Sequence, residues 1–64
     1  MRHEMIAMIE GYSAYSGDFA WYGNRRVQLV SQFNQNLVVF KDGHVSGTVP
    51  ISALTWEQKE HQNG

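Results

Sequence analysis

RRVQLVSQF (residues 25–33), NQN (34–36), LVVFKDG (37–43) and HVSGTVPISALTW (44–56) decide how this chain folds. Three short apolar runs are separated by turn-forming residues, and the last is broken by Pro50. That is the pattern of a small antiparallel meander. Arg26 to Gln32 alternates, with Val27, Leu29 and Ser31 on one face and Arg26, Gln28 and Val30 on the other. Leu37 to Phe40 is continuously apolar, as expected of a central strand partly covered on both faces. Asp42-Gly43 is the strongest hairpin signal, because glycine supplies positive φ in a tight turn. Val45 to Val49 returns as the partner strand, and Gly47 marks a bulge or bend in it. Pro50 has no N–H to donate and ends the ladder. Ile51 to Ala53 then fits one helical turn, and Leu54 to Trp56 a last short strand. Residues 57–64, EQKEHQNG, read as a polar tail.

Upstream lies GYSAYSGDFAWYGN (residues 11–24). Tyr12 and Tyr15 precede the turn signal Ser16-Gly17-Asp18, and Phe19, Trp21 and Tyr22 follow it. This stretch is expected to be a long aromatic loop, folded as an irregular hairpin, with Gly23-Asn24 turning the chain into the meander. The first ten residues fit two patterns. At period two, Met5, Ala7 and Ile9 share a face; at period 3.6, Met1, Met5, Met8 and Ile9 form a stripe that Gly11 would cap. A strand is preferred over a helix for residues 2–10. Ten residues are short for a helix without strong capping, and a meander needs another strand to close its edge. The expected fold is all-β: five short strands closed into a barrel over residues 1–56, with the aromatic loop after the first strand and one helical turn before the last.

This order of elements resembles an SH3-like barrel. The segment that carries the resemblance is Gly47-Thr48-Val49-Pro50-Ile51-Ser52-Ala53-Leu54. Gly47, Val49, Pro50 and Leu54 match the C-terminal SH3 pattern, and the Tyr12–Tyr22 loop sits where the RT loop would. Ala53 stands where an SH3 domain keeps its groove tyrosine, and Leu37 and Val38 stand where a tryptophan pair would open the third strand. The resemblance therefore implies the barrel, and not recognition of proline-rich peptides, which needs an aromatic-lined groove.

The totals narrow the class. Sixty-four residues suffice for one domain with one small core. No cysteine is present, so disulfides and thiolate zinc sites are excluded. No stretch has the length of a transmembrane helix or the layout of a signal peptide, and a cytoplasmic location is expected. Net charge is −1 and the isoelectric point is near 6.2, which argues against a strongly electrostatic nucleic-acid binder. Residues 1–24 carry a net −2 and residues 25–64 a net +1, a small asymmetry.

Two clusters stand out as sites. Tyr12, Tyr15, Trp21 and Tyr22 offer large, rigid contact area for a protein partner. Against this, Phe19 and Trp21 are expected to fold back over the open end of the barrel, while the tyrosine hydroxyls need water or a partner. Arg25, Arg26, Lys41 and His44 are the candidate nucleic-acid contacts, weighed against a solvated rim. His3, His44 and His61 do not have the spacing of metal ligands on one element, and no metal or cofactor is expected. Glu4, Glu10, Asp18 and Asp42 are scattered, so no catalytic pairing is legible. The expected function is a non-enzymatic protein-binding module, an accessory regulator or inhibitor of the bacterial, phage or plasmid type. Nucleic-acid binding and a homo-oligomer built on Leu37–Phe40 or the N-terminal strand are the alternatives.

Overall fold

The computed structural model describes residues 4–58. Most of the expected polar tail, together with His3 and His61, lies outside the described residues. The described chain is all-β. In order it forms β1 (Met5–Ile9), β2 (Tyr12–Tyr15), β3 (Phe19–Tyr22), β4 (Arg25–Gln32), β5 (Leu37–Asp42) and β6 (Val45–Pro50). A 3-10 turn (Ile51–Ala53) and β7 (Leu54–Thr55) complete it. The N-terminal ambiguity resolves as a strand, and the turn after Pro50 lies where the sequence places it.

The expected five-strand closure does not form. The seven strands make two sheets, β1-β2 and β6-β5-β4-β3-β7, and neither closes into a barrel. The reason lies at Glu10-Gly11. Both residues have positive φ, 53° and 84°, the signature of a tight I′-type hairpin turn. That turn folds the chain straight back, so β1 pairs with β2, and the last strand pairs instead with β3. The aromatic stretch is consequently not a loop. Tyr12–Tyr15 and Phe19–Tyr22 are strands in different sheets, joined at Ser16-Gly17-Asp18.

That joint is fastened to β4. Gly17 N–H donates to the Leu29 carbonyl and Leu29 N–H to the Asp18 carbonyl, both at 2.8 Å. The Asp18 carboxylate accepts from Tyr15 N–H at 2.9 Å, which holds the turn in shape. Ser16 Oγ–H donates to the Val30 carbonyl, also at 2.9 Å. The core fills the space between the sheets. Ile6, Ala7, Ile9 and Ala14 come from the hairpin; Ala20, Val27, Leu29, Val38, Val49 and Leu54 come from the larger sheet. Ala14 and Ala20 are fully buried, so two small side chains bring the layers close.

Two register shifts reassign faces that simple alternation gets wrong. One lies between Met5 and Ala7 and puts Ile6 into the core, leaving Met5 exposed. The other lies between Leu29 and Ser31 and leaves Val30 unpaired, so Ser31 does not share the Val27–Leu29 face. Gly47, expected as a bulge or bend, pairs with Phe40 in an unshifted register. A methyl group added there would meet the Phe40 ring at 3.5 Å, an ordinary van der Waals contact.

The β5–β6 turn has Gly43 and His44 as its central residues, because Asp42 pairs with Val45. Gly43 has φ +65° with open space around it. Gly43→Ala is therefore expected to cost about 1–2 kcal/mol from backbone strain alone. Gly47→Ala meets only ordinary contact and lacks that strain; it is expected to be neutral or stabilising by up to about 1 kcal/mol. Urea denaturation of the two variants checks the contrast.

Candidate functional site

Cross-strand partners share a face, and successive residues alternate, so the pairing registers sort the candidate residues. The four ring-bearing residues do not form one surface. Tyr12 stands at the hairpin tip, 70% exposed. Tyr15 pairs with Met5 on the outward face of the hairpin, beside Met8, whose sulfur lies 3.6 Å from Ser13 Oγ. Trp21 is half-buried on the outward face of the larger sheet, level with Arg26. Tyr22 is exposed at the end of β3, between Arg25 and Leu54. Phe19 departs from the expectation that it folds inward. It is exposed, and the Arg26 guanidinium sits 4.1 Å from its ring centroid, in cation–π contact.

The basic residues are divided as well. Arg25 Nη1 makes an ion pair with Asp42 Oδ2 at 2.7 Å, on the opposite side of the sheet from Arg26 and Lys41. His44 lies in the exposed β5–β6 turn. Among the described residues, no three His, Asp or Glu side chains gather as a metal-binding group.

One site escapes the sequence reading. A groove of about 730 Å³ runs along β1, opposite the edge that pairs with β2. Met5 to Met8 form one wall. The other wall is built from Gln32, Gln35, Asn36 and Leu37, with Pro50, Ile51 and Ser52 of the turn region. Every described lining residue is uncharged. Local hydrogen bonds set that second wall in place. Asn34 Oδ1 accepts from the N–H groups of Asn36 and Leu37 at 2.8 and 2.9 Å, an Asx-type turn. Ile51 N–H then donates to the Asn36 carbonyl at 2.9 Å, which ties the turn region to the β4–β5 connection.

Trp56 closes one end of the β1 edge. Its Nε1–H donates to the Ile9 carbonyl at 2.7 Å, and its backbone N–H to Glu10 Oε1 at 3.1 Å. Among the described residues, the Met5–Met8 part of that edge pairs with no strand. Leu37–Phe40, by contrast, pairs with β4 or β6 along its length, and at Val38–Phe40 with both, so it offers no edge for pairing across subunits. The signals that could have revealed the groove were the exposed methionines at 5 and 8 and the amide run Asn34-Gln35-Asn36. Their convergence depends on which strand β1 chooses as a partner.

No helix of the described residues is long and apolar enough to cross a membrane. No protein-family model, curated protein or solved structure matches this chain.

Proposed function

We propose that this chain is a small protein-binding module rather than an enzyme. In this reading it docks on a partner through the groove beside β1 and acts as an accessory regulator or inhibitor. The observation that carries the reading is that, among the described residues, the Met5–Met8 edge is unpaired and adjoins an uncharged, largely apolar groove. An unpaired strand edge presents backbone donors and acceptors, and an extended peptide can satisfy them while its alternate side chains enter the groove. The fitting partner is therefore an uncharged, aliphatic segment in extended conformation. Met5 and Met8, each 49% exposed, suit such a surface because methionine adapts to varied side chains. Tyr15, paired with Met5, extends the same surface, whereas Trp21 belongs to a different one.

The order of a long hairpin, a three-strand meander, a 3-10 turn after Pro50 and a short last strand supports an SH3-like reading of the layout, without barrel closure.

A displayed library of random peptides tests the function. The wild-type chain is expected to enrich uncharged aliphatic sequences, and bound peptide should slow amide exchange in β1. Met8→Glu places a charge beside the groove and is expected to lose that enrichment at least tenfold, since a desolvated charge without a partner costs more than about 1.4 kcal/mol. Enrichment of nothing, or equal enrichment by Met8→Glu, would remove the groove as the docking site.

A further inference from the structure

We propose that the outward face of the five-stranded sheet binds single-stranded nucleic acid. The registers assemble this face from residues distant in sequence. Lys41, Gln28 and Phe19 form one row across β5, β4 and β3. Arg26, Trp21 and Thr55 form the next row across β4, β3 and β7. The other outward positions on the sheet are serine, threonine, valine, leucine and proline, so among the described residues the strands of this face carry two cations and no acid. Glu57 lies two residues past Thr55, its backbone carbonyl accepting from Thr55 Oγ1 at 2.6 Å, and the other neighbouring acids are engaged elsewhere. Asp42 is paired with Arg25 on the other side of the sheet, and the Asp18 carboxylate accepts from Tyr15 N–H.

A polyanion with flat, separable rings is complementary to this surface. Arg26 lies over Phe19 with its guanidinium 4.1 Å from the ring centroid, so a cationic group already sits on an aromatic ring of this face. Bases stack on guanidinium planes and on tryptophan, and Trp21 stands in the adjoining row. Phe19 and Trp21 are two residues apart on β3, a rise of about 7 Å. Two bases stacking at those positions must part from each other, which a single strand permits and a duplex resists. Phosphates would then meet Lys41 and Arg26 on the flanks. This surface is separate from the groove beside β1, so the two sites fail independently.

Fluorescence anisotropy with a labelled oligothymidylate, measured from low to physiological salt, tests the proposal. Binding is expected at low salt, with log affinity falling against log salt at a slope of about −0.7 per phosphate contacted. Arg26→Gln and Lys41→Gln should each make that slope shallower by about 0.7. Trp21→Ala should weaken binding by roughly 5- to 150-fold through lost stacking. Arg25→Gln and Met8→Glu should leave binding intact. The two cation variants alter exposed side chains, so they remain decisive even where Trp21→Ala compromises folding. No binding at low salt, equal affinity for duplex or for polyglutamate, or indifference to both Arg26→Gln and Lys41→Gln would overturn the assignment.

Discussion

Leu29→Ala is expected to leave much of the population unfolded at 25 °C. Leu29 is fully buried in the middle of β4 and is among the largest side chains with no exposure. It faces Phe40 across the β4–β5 ladder, and the register shift begins at its C-terminal side. Its backbone is equally committed, since both its N–H and its carbonyl bond the Gly17-Asp18 joint that carries the chain from one sheet to the other. Truncating a buried leucine removes transfer energy and leaves a cavity, together about 3–5 kcal/mol. A domain of this length commands only about 3–10 kcal/mol in total. The loss is therefore comparable to the whole. Circular dichroism and a urea titration read it directly. A variant that keeps its unfolding free energy to within about 1 kcal/mol of wild type would mean that this core is not built around β4.

Trp56→Ala is expected to release the β1-β2 hairpin from the rest of the fold. An isolated two-stranded hairpin is marginal in water and needs a surface to pack on. Trp56 supplies part of that surface. Its ring packs against the core cluster, its Nε1–H bonds the Ile9 carbonyl, and its backbone N–H bonds Glu10 at the hairpin turn. Truncation should cost about 3 kcal/mol, at the low end for tryptophan because the residue is only partly buried. Trp56→Phe keeps most of the apolar contact and drops the indole donor, so it should cost about 1 kcal/mol. Amide exchange separates the local from the global effect. Protection at Ala7 and Ala14 should fall in Trp56→Ala before protection in β4 and β5 does. Equal loss across both sheets would show that the hairpin and the larger sheet unfold as one unit.

These two residues illustrate what could be read in advance. The alternation around Val27 and Leu29, the apolar run Leu37–Phe40, and the turn at Gly43 are local patterns, and each one produces the strand or turn it indicates. The Glu10-Gly11 turn is different. Glutamate is an unusual residue at positive φ, and its place there is accompanied by the bond between its carboxylate and Trp56, forty-six positions later. A turn supported from so far away carries little local signal. The unpaired Val30 is similar, because a valine in an alternating strand looks regular until Leu29 bonds Gly17 and the Val30 carbonyl itself accepts from Ser16 Oγ. The groove beside β1 and the grouping of Arg26 with Trp21 and Lys41 follow from those pairings.

By itself, the order of apolar runs, glycines and the single proline determined that the chain is all-β and where most strands begin and end. Side chains alternate every two residues and turns need particular φ values, and both constraints act within a few positions. Which strand pairs with which, and therefore which faces and edges stay exposed, was decided only in three dimensions. Partner choice depends on hydrogen bonds and packing between segments far apart in the chain, among them Trp56 at Ile9 and Leu29 at the Gly17-Asp18 joint.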